Sequence, residues 1–175
     1  MKINLIIFLS SFGIGGAGNS IFRLCKGLSK KKFNISIICL NNCSYDDKFK
    51  KIGIKVYKIK SNKTIFAMTK VLNITKYLIS KKYKKNIFIS NIHYTNILSL
   101  IFLRNLDDLK ILLVERTPLM ELNIYFNFVD FIKKNIIKLL IYLLYNFSDA
   151  IVCNSKDISR YFKIKYNFKT KTIFP

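Results

Sequence analysis

Seven short runs rich in Ile, Val, Leu and Phe alternate with stretches of helical period, and this alternation constrains the fold more than any other feature of the chain. The runs cover residues 3–9, 33–40, 54–59, 87–92, 109–114, 149–153 and 170–174, each of strand length and rich in β-branched or aromatic side chains. Between the first two, residues 19–29 place Ile21, Leu24, Cys25 and Leu28 on one helical face. Residues 64–82, 96–103, 126–146 and 155–166 read as further helices, and 46–51 as a short one. Ser155 is placed to cap the last of these, with Asp157 in its first turn. Right-handed crossovers put helices on both faces of such a sheet, so the pattern predicts an α/β, Rossmann-like parallel sheet covered on both sides. The run at 3–9 suits a strand buried on both faces. It passes into a glycine loop and a helix rather than a small-residue cleavage site, which argues against a signal peptide.

Length and composition narrow the classes. At 175 residues with 51% apolar content, a single domain over 1–175 is expected, with ample core material. No apolar run reaches the ~18–20 residues of a membrane span. The helix at 126–146 is apolar on most sides and is expected to be buried. The alternative is a helix lying on a membrane, with Lys133, Lys134 and Lys138 at the headgroups. Cys25, Cys39, Cys43 and Cys153 show no paired spacing, and a lone His builds no His-rich site, so neither a metal centre nor a disulfide framework is expected. Four scattered thiols point to a reducing compartment, hence the cytoplasm. The formal charge of +22 reflects in part the A/T-rich codons of Lys, Asn, Ile, Phe and Tyr. It still attracts phosphates and anionic membrane surfaces. Peripheral anionic membrane contact is therefore expected, and no nucleic-acid partner is.

In a doubly wound sheet ligands bind at the carboxyl ends of the strands, so function is sought in the loops there. Gly13-Ile14-Gly15-Gly16-Ala17-Gly18 follows the first strand and opens a helix. Glycines allow backbone N–H groups to approach a phosphate or sugar, and the helix N-terminus adds partial positive charge. A dinucleotide site is the competing reading, as is a plain connector. Against the dinucleotide, three residues separate the strand from the first glycine, and the second strand ends at Asn41-Asn42 rather than near an acid. His93 follows the fourth strand, and Arg116 the fifth, where its planar fork suits phosphate or carboxylate. The alternative for Arg116 is a structural pairing with Glu115 or Glu121, the only two glutamates.

Several segments, in order, resemble the N-terminal domain of family 4 glycosyltransferases of the GT-B fold. Gly15-Gly16-Ala17 resembles their Gly-Gly-Ala-Glu-Arg opening, although Gly18-Asn19 stands where that Glu-Arg falls. Gly53-Ile54-Lys55-Val56 is similar to their third strand, and Tyr94-Thr95-Asn96-Ile97-Leu98 to the segment after the fourth. Val114-Glu115-Arg116-Thr117-Pro118 resembles their Glu-Arg-Asn-x-Pro element. The segment from Ser148 to Ser155 is similar to their sixth strand, and Lys171 to Pro175 to the approach to their interdomain hinge. The resemblance implies the acceptor-side half of a retaining, metal- and cofactor-independent transferase whose donor-binding domain is absent from this chain. It implies a nucleotide-sugar donor held by that missing domain, and a glycan or lipid-linked acceptor. It also implies roles for His93 at the transferred sugar and for the glycine loop at the substrate; Gly15, Gly16, Ala17, Gly18 and, by its position and chemistry, Arg116 are expected to bind substrate. A non-catalytic module for phosphate or anionic lipid headgroups is the alternative, with an NAD(P)-binding domain behind it.

Overall fold

The computed structural model describes residues 1–175 except 12, 14, 81, 118, 174 and 175, and except the side chains of 119 and 120. Ile14 of the glycine loop, Pro118 and the terminal Phe174-Pro175 thus lie outside the described residues. The strands are β1 Ile3–Leu9, β2 Phe33–Leu40, β3 Lys55–Ile59, β4 Lys85–Asn91, β5 Leu109–Glu115, β6 Ala150–Cys153 and β7 Thr170–Thr172. The helices are α1 Gly16–Gly27, α2 Asp46–Lys51, α3 Thr64–Leu78, α4 His93–Leu103, α5 Phe128–Leu144 and α6 Lys156–Tyr166, with 3-10 turns at Leu119–Asn123 and Tyr145–Phe147. All seven strands pair in parallel in the order β3-β2-β1-β4-β5-β6-β7.

Alternation along the central strands divides the core in two. Ile6, Phe8, Ile38, Phe88, Ile111 and Leu113 face α3, α4, α5 and α6, and meet Met68, Leu100, Ile141 and Phe162. Ile7, Leu9, Ile37 and Cys39 face the other way, onto Ile21 and Cys25 of α1 and Phe49 of α2. Each fully buried side chain of this size contributes about 1.5–3 kcal/mol, so the central strands supply most of the folding drive. One polar ladder crosses the first face near the amino ends of the strands. Asn34 donates to Asn4 at 2.9 Å, and Asn4 donates to Asn86 at 2.9 Å and to the Leu78 carbonyl at 3.0 Å. These three residues are in register across β2, β1 and β4, so the hydrogen bonds satisfy polar groups that the apolar sheet would otherwise strand.

Three expectations need correction. Helix α1 starts at Gly16, not residue 19, so Gly16 and Gly18 lie in its first turn. Helix α4 starts at His93, not residue 96, and His93 is its first residue rather than a loop residue. Helix α5 is buried along one side only: Ile137 and Ile141 are in the core with Leu140 and Leu144 packed against it, whereas Phe128, Ile132, Ile136, Leu139 and Leu143 are exposed. An apolar composition all round does not bury a helix when, as here, packing elements stand on one side only.

Candidate functional site

Strand order reverses between β1 and β4: β2 and β3 lie on one side of β1, and β4 to β7 on the other. Loops leaving the carboxyl ends of β1 and β4 therefore diverge, and a crevice opens at that switch point. The glycine loop leaves β1 there and His93 follows β4, so the topology brings these two elements to neighbouring strand ends.

The glycine loop forms one wall. Ser11, Gly13, Gly15, Ala17 and Gly18 line a shallow cleft of about 250 Å³. Gly15 caps α1 in an extended conformation (φ −150°), and no side chain occupies the cap, so the first amides of the helix are left for a ligand or solvent. The glycines play different parts. A Cβ on Gly15 or Gly16 would meet nothing within 4 Å, so those positions keep the cleft open rather than relieve crowding. Among the described glycines the left-handed conformation is found at Gly53, not in this loop. Gly18 is the packed position: a Cβ there would come within 2.9 Å of the Tyr45 ring and 3.1 Å of the Gly13 carbonyl.

His93 lies at the amino end of α4, directly after Ile92, whose φ of +76° is strained for a β-branched residue. The imidazole is only 7% exposed, and its Nδ1 is buried without a hydrogen-bond partner. Burial holds its pKa below the ordinary histidine value, so the ring is neutral at neutral pH. Its neighbour is Tyr94, with ring centroids 5.0 Å apart.

Arg116 follows β5, and no carboxylate pairs with it among the described residues. Its Nε donates instead to Asn91 Oδ1 at 3.1 Å. The Asn91 amide donates to the Phe8 carbonyl, and the Asn154 amide to the Arg116 carbonyl. The ends of β1, β4, β5 and β6 are thereby stitched together by two asparagines and the arginine. The structural pairing with Glu115 or Glu121 is not formed, and the positive charge stays uncompensated at the crevice.

Glu115 plays a different part. It is fully buried, and its Oε1 accepts hydrogen bonds from Asn96 at 2.7 Å and from the Tyr145 hydroxyl. Its Oε2 has no partner. Desolvation, only partly offset by those two donors, pushes its pKa up to about 7. It thus anchors α4 and the end of α5 beneath the crevice. Glu115, Asn91 and Asn154 were not among the expected site residues. The signal available for the asparagines is a polar residue closing an apolar strand, at 91, or following one, at 154.

Two other hollows flank the sheet. One of about 660 Å³ lies between the ends of β2 and β3, lined by Asn41, Asn42, Lys58, Lys60, Ser61 and Asn62. The other, about 600 Å³, opens at the amino-terminal ends of β4 and β5 among residues 83–86 and 108–110, opposite the carboxyl ends where such sheets bind ligands. A dinucleotide would need a free acid at the end of β2. Asp46, the first acid after it, is held by Lys58 at 2.5 Å and Lys50 at 3.0 Å. Among the described residues no cluster of His, Cys, Asp or Glu could hold a metal ion, and no helix is long and apolar enough to cross a membrane.

No family model and no curated relative matches the sequence. Solved structures do. Anabaena HepE, determined in complex with UDP and glucose, has a TM-score of 0.65 at 13% identity, covering 97% of this chain and 44% of that one. Sucrose-phosphate synthase from Thermosynechococcus elongatus has a TM-score of 0.65 at 10% identity, with 99% and 47% covered. Acinetobacter baumannii MurG has a TM-score of 0.56 at 12% identity, with 99% and 45% covered. The fold is therefore the Rossmann-like α/β fold of GT-B glycosyltransferase domains, and the chain spans a little under half the length of these neighbours.

Proposed function

We propose that the chain is the acceptor-side half of a family 4, retaining glycosyltransferase. The observation that carries this reading is that the glycine loop and His93 leave the neighbouring ends of β1 and β4 at the switch point, with Arg116 tied to Asn91 at the end of β4. In this reading the first amides of α1 and the Arg116 guanidinium stabilise phosphate charge that develops as the sugar leaves its nucleotide. The neutral His93 ring orients or hydrogen-bonds a sugar hydroxyl rather than contributing charge. Two carboxyl groups at this end of the sheet are engaged, Glu115 by Tyr145 and Asn96, and Asp46 by two lysines. That accords with a reaction in which the protein offers no nucleophile.

The donor, a nucleotide sugar, falls to a domain equivalent to the half of these neighbours that the 175 residues do not cover, and the acceptor is a glycan or a lipid-linked sugar. A lipid-linked acceptor would place the enzyme at the cytoplasmic face of a membrane. The test is turnover by the purified chain, offered UDP-glucose and both acceptor types. We expect no glycoside. Glycoside formed by the 175 residues alone would overturn the division of labour.

A further inference from the structure

An unexplained apolar surface lies on the outer side of α5. Phe128 is 75% exposed, Leu139 55% and Ile136 51%, and Phe126 just before the helix is 84% exposed. At 100° per residue, Phe128, Ile132, Ile136, Leu139, Tyr142 and Leu143 fall within an arc of roughly 120°, interrupted only by Asn135 and opposite the buried Ile137 and Ile141. Nothing among the described residues covers this arc.

Charge identifies the occupant. Lys133 borders the arc on one side, Lys134 and Lys138 on the other. Asp130, the only acid of the helix, is already paired with Lys134 at 2.8 Å. A broad apolar face between two cationic rims matches an anionic bilayer, with acyl chains meeting the apolar arc and headgroups the lysines. A second copy of the chain would bring the same cationic rims together on two molecules of charge +22 each, so self-association is disfavoured. The helix is not long and apolar enough to span a membrane, so any bilayer contact it makes runs along the surface.

We infer that α5 is an interfacial helix that docks the protein on anionic membranes by inserting its outer apolar face. The docking also sets the orientation of the crevice. Lys133 lies over the Tyr94 ring, 5.7 Å from its centroid, and Tyr94 packs against His93. The amino-terminal end of α5 thus borders the site, and the crevice opens beside the bilayer surface. This inference needs no turnover and stands apart from the transferase reading.

The test is co-sedimentation with phosphatidylcholine vesicles containing about one-third phosphatidylglycerol, across a salt series. Binding is expected at low salt, with part of it surviving at ~1 M, where exposed charges are screened beyond about 3 Å. The triple variant Phe128→Ser/Ile136→Ser/Leu139→Ser should lose the salt-resistant part, about tenfold or more in affinity. Its circular dichroism and melting should match the parent, because the three side chains touch no core. Lys133→Gln and Lys138→Gln should each weaken low-salt binding by about fivefold. The chain contains no Trp, so Leu139→Trp adds a single depth reporter whose emission should shift blue on vesicle addition. Binding abolished by salt and indifferent to the triple variant would overturn insertion. So would absence of binding, or a dimer dissolved by the triple variant with no vesicle binding.

Discussion

The Nε of Arg116 donates to Asn91 Oδ1 at 3.1 Å while the Asn91 amide donates to the Phe8 carbonyl at 3.1 Å, so one buried asparagine ties the arginine after β5 to the end of β1. Removing that asparagine leaves a buried carbonyl and a guanidinium edge without partners. Asn91→Ala is expected to lower stability by about 1–3 kcal/mol. Denaturant melts of Asn91→Ala, Arg116→Ala and the double variant should show coupling of about 0.5–3 kcal/mol. Additive losses would show that the two residues do not act as a unit.

Glu115 gives the fold an unusual response to pH. Its folded pKa is raised to about 7, while the unfolded chain titrates near 4.5. The folded state therefore holds the proton where the unfolded state has lost it. The stability that Glu115 supplies is complete below pH 4.5 and is lost as pH rises through 7. Glu115→Gln keeps the acceptor for Tyr145 and Asn96 without the charge, and should be the more stable protein at pH 8 by on the order of 2–3 kcal/mol. The two proteins should converge towards pH 4.5. Parallel stability curves from pH 4.5 to 8 would contradict this.

The two helical glycines of the loop should separate packing from access. Gly18→Ala drives a methyl group into the Tyr45 ring and the Gly13 carbonyl, and should cost about 1–3 kcal/mol in a thermal or denaturant melt. Gly16→Val meets open space and should leave stability within about 1 kcal/mol, yet block a ligand from the first amides of α1. Ligand binding unchanged in Gly16→Val would reduce the loop to a connector.

His93 is the only histidine, so its imidazole can be followed without overlap. Burial should hold its pKa, read from the ring proton shifts, below 6.5. A value at or above 6.5 would mean that the ring is solvated or paired with an acid, and that the neutral role assigned to it is wrong.

The strands were legible because a sheet buried on both faces needs continuous apolar runs, and residues 3–9 and 33–40 meet that need with nothing else to decide. Helix starts were less so. Gly16 and Gly18 read as loop by propensity, and residues 93–95 lack apolar periodicity, yet both segments are helical where the chain packs back onto the sheet. Glu115 and Asn91 take their roles from partners far along the chain, at Tyr145 and Phe8, which no local pattern encodes. The exposure of α5 was hidden for a related reason: periodicity reports which side chains are apolar, not what stands against them.

Amide shift mapping of the isotopically labelled chain tests the central claim most directly. Short-chain isoprenyl diphosphate sugars, free glycans and NAD would be added in turn. The account predicts that an acceptor shifts the amides of Gly15, Gly16, Ala17 and Gly18 together with His93 and Arg116, and that NAD shifts none of them. Shifts confined to other parts of the sheet, none with any acceptor, or NAD binding at the glycine loop would contradict it.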